Sequence, residues 1–274
     1  MSAPPRRNFI TAAALAEALR GGARPVLLDI RFDPGRGAQP ARYLQGHLPG
    51  AHFVSLPEQL ADTSLKGRGA NPLPDLERLQ EAARAWGLTA ESEVVVYDDT
   101  TGGPAGRAWW VLRWAGLPNV RILEGGLAAW KRAGFALEEG EAAAAAPGNI
   151  TLRAGGLPHL EAGEVLDFVV QGTLIDARPR LDFSGEGKKH IPGARSLPAS
   201  ALLDAEGALL PPERLRAILA ESGVDLSRPV AAYCGGGVAS TFLLAALSEL
   251  GTETALYPGS WSEWTADPSR PVEA

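Results

Sequence analysis

The stretch VLLDIR (residues 26–31) returns as TLIDAR (residues 173–178), and three further segments return behind it in the same order. GHLPGAHFVSLP (46–57) is matched by KHIPGARSLP (189–198), VVVYD (94–98) by VAAYC (230–234), and GGLAAW (125–130) by PGSWSEW (258–264). The offsets run 147 from Asp29 to Asp176, 143 from His47 to His190, 136 from Tyr97 to Tyr233 and 134 from Trp130 to Trp264. A shared order with shrinking spacing means two copies of one domain, with shorter loops in the second. A repeat of this size governs the fold before any single element is assigned. Residues 1–137 are read as the first domain, 138–149 (EEGEAAAAAPGN) as a low-complexity linker and 150–274 as the second domain. The alanine run has the composition of a short helix, but Pro147 and Gly148 end it.

Within each copy, short apolar runs rich in β-branched residues (26–30, 94–97, 120–123; then 174–176, 230–233, 255–257) alternate with helix-length amphipathic stretches (75–86, 106–115, 212–222, 238–250). Strands that do not alternate polar with apolar residues, and that are separated by helices, pair in parallel with both faces covered. The expected fold class is α/β, each half a small parallel sheet covered by helices on both faces. The chain of 274 residues, 45% hydrophobic and 21% charged, has the composition of an ordinary globular protein, which excludes disorder, collagen-like repeats and a coiled coil.

The formal net charge of −6 provides no basic field for a polyanionic backbone, so nucleic acid is not an expected partner. Residues 1–137 hold 16 Lys+Arg against 13 Asp+Glu and residues 150–274 hold 10 against 16, so the acidity sits in the linker and the second half. No apolar run approaches the ~18–20 residues of a membrane helix, and the start places Arg6 and Arg7 ahead of a segment broken by Glu17. A cytoplasmic protein with no membrane partner is expected. The sequence has no metal-ligand spacing, and the pairs Gly102-Gly103 and Gly125-Gly126 lack the GxGxxG or P-loop pattern, so no cofactor is expected.

The one cysteine, Cys234, cannot form an internal disulfide and is therefore either a small core residue or a nucleophile. It ends the strand 230–233, and Gly235, Gly236 and Gly237 follow before a helix begins near Val238. Ligands of such sheets bind beyond the carboxyl ends of the strands. Three glycines let successive N–H groups converge on one point, and the helix N-terminus adds roughly half a positive charge. That cradle suits a thiolate, a persulfide or an oxyanion, and favours the ionised, nucleophilic form of the sulfur.

Two Asp-x-Arg strand ends followed by His-x-Pro-Gly-Ala, the loop CGGGVAS and the ending YPGSWSEW together resemble the tandem-domain rhodanese family of thiosulfate and 3-mercaptopyruvate sulfurtransferases. The resemblance implies a cofactor-free persulfide enzyme with an active second domain. It implies an inactive first domain, because Asp98 stands at the position of Cys234 and a carboxylate cannot accept sulfane sulfur. The implied cycle moves sulfur from thiosulfate through a Cys234 persulfide to cyanide or a thiol, with a thioredoxin-like dithiol among the compatible acceptors. The amides of Gly235, Gly236, Gly237 and Val238 would hold the sulfur anion. Arg178, Arg180, Lys188 and Lys189 are the candidates to bind the small anionic donor, with Asp176 and Ser240 in support.

Several residues depart from the family pattern. Gly236 and Ala239 stand where the mercaptopyruvate-type loop has Ser and Thr, and Gly235 and Gly236 supply no basic pair of the thiosulfate type. Asp182 occupies the place of a second donor-gripping arginine, and a carboxylate beside a dianion repels it. The alternatives are therefore a 3-mercaptopyruvate sulfurtransferase or a non-enzymatic, regulatory module of the same fold. A cysteine phosphatase is disfavoured because Ser240 takes the place of the phosphate-clamping arginine. His47 and His190 are read as turn residues, and Trp261 and Trp264 as either cleft walls or core.

Overall fold

The computed structural model describes residues 7–184 and 186–274, so Arg6 and Gly185 lie outside the described residues. The first half forms a five-stranded parallel sheet in the order β1 (Phe9–Ile10), β7 (Val120–Leu123), β6 (Val94–Tyr97), β2 (Val26–Asp29), β5 (His52–Phe53). A small antiparallel hairpin of β3 (Phe32–Asp33) and β4 (Gly37–Ala38) stands apart from it. The second half forms a four-stranded parallel sheet in the order β11 (Thr254–Leu256), β10 (Val230–Tyr233), β8 (Thr173–Asp176), β9 (Arg195–Ser196). All four residues of β6, β8 and β10 are buried, which is what strands covered on both faces require. The register sets Asp29 beside Tyr97 and Asp176 beside Tyr233, so each Asp-x-Arg strand end adjoins the strand end that leads into Asp98 or Cys234.

The helices Gly103–Trp114 and Ala239–Ser248 follow β6 and β10 and are buried along almost their whole length. They cross at Gly106, where a Cβ would stand only 2.6 Å from the Phe242 amide nitrogen and 2.7 Å from its Cα. A glycine is what allows this backbone approach. One apolar core consequently runs through both halves, from Leu28 and Val96 past Trp109 and Trp110 to Phe242, Leu244 and Ala232. The two halves are thus joined by a packed core.

The linker is irregular rather than helical, because five alanines are too few to offset the cost of nucleating a helix. Its backbone is tied to the first half instead: Gly148 N–H donates to Arg84 O at 2.7 Å and Ala142 N–H to the Tyr43 hydroxyl at 3.2 Å. Each half is also closed by a glutamate. Glu138 and Glu273 exchange backbone bonds with His47 and His190, and their Oε2 atoms accept from Gly50 N at 2.7 Å and Gly193 N at 2.9 Å. His47 stacks on Tyr43 at 3.9 Å and His190 on Phe183 at 3.8 Å. Trp130 and Trp264 donate their indole N–H groups to Ala136 O and Pro271 O, both at 2.8 Å. Both histidines and Trp264 therefore serve the closure of each half. Among the described residues no helix is long and apolar enough to cross a membrane.

Candidate active site

Cys234 leaves β10 and enters a loop whose carbonyl oxygens are all engaged on the outside. Cys234 O accepts from Trp261 N at 2.9 Å, Gly235 O from Ser262 N at 2.9 Å, Gly236 O from Asn71 Nδ2 at 2.7 Å and Gly237 O from Arg107 Nη1 at 3.1 Å. In a trans peptide the N–H lies antiparallel to the C=O. The amides of Gly235, Gly236, Gly237 and Val238 therefore point the other way, into the loop. Val238 N–H reaches the Cys234 sulfur at 3.2 Å, and the Ser240 hydroxyl approaches it at 3.5 Å. Gly237 takes the left-handed φ of +71° that this curl needs, and a Cβ there would run into Pro258 O. Cys234 N–H is held by Ser260 Oγ at 3.2 Å, and Ser260 itself holds a left-handed φ of +54°.

The residue is only 3% exposed, yet it lines a cleft of about 780 Å³ between the halves. Phe32, Asp33, Pro57 and Pro104 wall the cleft from the first half, and Arg178, Asp182, Gly235, Gly236 and Val238 from the second. The sulfur is thus desolvated but reachable by a small molecule.

Among the described residues, Arg178 is the cation that lines this cleft. Its Nε donates to both Asp176 oxygens at 3.0 Å, and its Nη2 donates to Asp176 Oδ2 at 2.6 Å and to Lys189 O at 2.8 Å. Nη1 takes part in none of these bonds. The Tyr233 hydroxyl donates to Asp176 Oδ2 at 2.6 Å, and Trp261 lies against the guanidinium at 4.4 Å. Burial works to lower the Arg178 pKa, but the Asp176 partner outweighs it and holds the guanidinium above its usual range. Burial, reinforced by Asp176, raises the Tyr233 phenol far above the ordinary tyrosine value.

The expected basic group around Arg178 is otherwise dispersed. Arg180, Lys188 and Lys189 are exposed and lie outside the cleft lining. Arg180 opens the short helix Arg180–Ser184, Lys188 Nζ turns back to Asp182 at 3.7 Å, and Lys189 contributes its backbone carbonyl rather than its ammonium. Asp182, in contrast, lines the cleft. Asn71, Arg107, Ser260 and Ser262 were not singled out in the sequence, although each holds the Cys234 loop. The sole advance signal for Ser260 was its place in the repeat at Gly126, where the backbone has φ +52°.

In the first half the same loop closes on itself. Asp98 Oδ1 accepts from Thr100 N at 2.8 Å, Thr100 Oγ1 at 3.1 Å and Gly102 N at 3.2 Å, while Oδ2 accepts from Ala105 N at 3.0 Å. Gly102 stands 136 residues before Val238, the same offset as Asp98 from Cys234, so the carboxylate occupies the place of the sulfur. Burial raises the Asp98 pKa even though these four donors work to lower it. The cavity beside Asp98 measures about 10 Å³, against 780 Å³ beside Cys234.

A duplicated α/β fold with one lone thiol at the centre of an amide loop, open to a cleft, is the frame of a cysteine-loop enzyme. The chain belongs to the rhodanese-like domain family, whose model matches residues 11–133 and 159–267. It is 42% identical over 276 residues, 96% of each chain, to the "Putative thiosulfate sulfurtransferase SseB" of Mycobacterium tuberculosis. It is 36% identical over 246 residues, 84% of each chain, to the 3-mercaptopyruvate sulfurtransferase of Escherichia coli. The crystal structure of the 3-mercaptopyruvate sulfotransferase SseA from Escherichia coli superposes with a TM-score of 0.81 at 33% identity, covering 93% of this chain and 98% of that one. The chain is an enzyme of the rhodanese class.

Proposed function

We propose that the protein transfers sulfane sulfur from thiosulfate to cyanide or a thiol through a Cys234 persulfide. The observation that carries the reading is the placement of Sγ on the Val238 amide, inside a loop whose other amides face inward, at the edge of the cleft. The Cys234 thiolate attacks the outer sulfur of thiosulfate, the S–S bond breaks and sulfite departs with the electron pair. Cyanide, or a thiolate acceptor, then takes the outer sulfur of the persulfide and returns the cysteine as thiolate. In this reading the inward amides of Gly235 to Val238 and the Ser240 hydroxyl stabilise the anion, Nη1 of Arg178 meets the donor, and Asp176 keeps the guanidinium in place. The first half carries no nucleophile: Asp98 fills its own cradle. A cytoplasmic location, where a single thiol stays reduced, belongs to the same proposal.

One observation favours 3-mercaptopyruvate as a second donor. Among the described residues the cleft lining has one guanidinium, already paired, against the carboxylates of Asp33 and Asp182. That balance tolerates a monoanion better than a dianion. With this donor the C–S bond breaks and pyruvate leaves as its enolate, which then takes a proton.

The test is thiocyanate formation from each donor with cyanide, together with intact-protein mass. A mass increment of one sulfur atom and loss of both signals in Cys234→Ser are expected. No increment from either donor rejects the reading.

A further inference from the structure

The inference concerns Arg107, and it rests on Cys234 being the nucleophile. Arg107 lies on the helix Gly103–Trp114 of the first half and is fully buried. Its Nε donates to Leu60 O at 3.2 Å, and its Nη2 to Leu60 O at 3.0 Å, Asn71 O at 2.9 Å and Pro72 O at 2.9 Å. Nη1 crosses to the second half and donates to Gly237 O at 3.1 Å. All these partners are carbonyls. Buried charges are normally matched by an opposite charge, because an ion out of water costs several kcal/mol. Burial pushes this guanidinium down to about 10, while the negative charge of Cys234 pulls the other way, so it remains a cation at neutral pH.

The crossing bond lands on one particular peptide. The carbonyl of Gly237 and the N–H of Val238 belong to the same amide group, and that N–H is the one on the sulfur. A cation on the oxygen polarises the group and strengthens its N–H as a donor. Arg107 is absent from the cleft lining and so stands behind the loop, on the side away from the cleft.

We propose that Arg107 is the positioning residue through which the first half activates the thiol of the second: it fixes the Gly237–Val238 peptide against the sulfur and places a positive charge behind the loop. The centre is then shared, with the nucleophile from one repeat and the supporting charge from the other.

The test compares full-length wild type, Arg107→Met and Arg107→Lys. It reads the rate of Cys234 alkylation by iodoacetamide at neutral pH, the kcat and KM for thiosulfate with cyanide, and the melting temperature. Cys234 is the one cysteine of the sequence, so each adduct reports on this site. Arg107→Met is expected to slow alkylation and lower kcat by about ten-fold, with KM within about two-fold of wild type. Arg107→Lys, which keeps a charge but not the fork, falls between. A folded Arg107→Met protein with wild-type alkylation and kcat, whatever its melting temperature, overturns the proposal, as does a rise confined to KM. Should Arg107→Met not fold, Arg107→Lys decides, and wild-type values of both rates in it overturn the proposal. Alkylation needs no sulfur donor, so failure of sulfur transfer in the wild type and failure of the Arg107 effect are read separately.

Discussion

Replacing Gly235 by lysine tests the electrostatics of the cleft most directly. Gly235 lines the cleft next to Cys234, an added Cβ meets no atom within 4 Å, and the residue is absent from the left-handed region. The side chain is therefore accommodated without strain and brings a cation to a lining that has Arg178 against Asp33 and Asp182. With the ammonium roughly 6 Å from the donor and an effective dielectric of about 60, one pair of unit charges is worth ~0.9 kcal/mol. A monoanion such as 3-mercaptopyruvate gains that much, about five-fold in KM, and dianionic thiosulfate gains twice the energy, about twenty-fold. Salt screens both, with a Debye length of about 8 Å at physiological ionic strength. The assay is the initial rate of thiocyanate formation with each donor varied, at low and then raised salt. A lower KM is expected for both donors, more so for thiosulfate, with the advantage shrinking as salt rises. An unchanged thiosulfate KM, or equal gains for the two donors, refutes the argument that a deficit of positive charge limits donor binding.

Three further outcomes are expected. Asp98→Cys adds no second persulfide, because the space beside it is about 10 Å³, no more than one water needs; a mass increment of two sulfur atoms after thiosulfate contradicts this. Gly106→Ala drives a methyl into the Phe242 backbone and is expected to lower stability by about 1–3 kcal/mol in denaturant unfolding, with an unchanged midpoint counting against the close helix crossing. Ser260→Ala keeps the left-handed strain and loses the bond to Cys234 N–H, whereas Ser260→Gly relieves the strain, as Gly126 does in the first half. The glycine variant should be more stable than the alanine variant by about 1 kcal/mol while both turn over more slowly than wild type, and equal melting temperatures would refute the role assigned to strain.

Much of the molecule was legible as a pattern in one dimension. The doubled order of VLLDIR, His-x-Pro-Gly-Ala and the Tyr-Asp or Tyr-Cys strand ends implied two α/β halves, and strands without polar alternation implied sheets covered on both faces. Cys234 with three glycines before a helix marked a loop of amides, because strand end, glycine freedom and helix start are local properties of neighbouring residues. The positions of Arg180, Lys188 and Lys189 were not local in this sense. The direction of each side chain depends on how the short helix Arg180–Ser184 turns, and it is Asp182 that lines the cleft.

The repeat, the fold class, the lone thiol and the aspartate that stands in its place in the first copy are all written in the order of residues along the chain. What surrounds that thiol comes instead from long-range contacts: Asn71 holds Gly236 from 165 residues away and Arg107 holds Gly237 from 130. No periodicity or spacing encodes such contacts, because they arise when a core continuous through both halves brings two helices together at Gly106. The carbonyls of the loop then find donors on the far side, and its amides are left to face the sulfur.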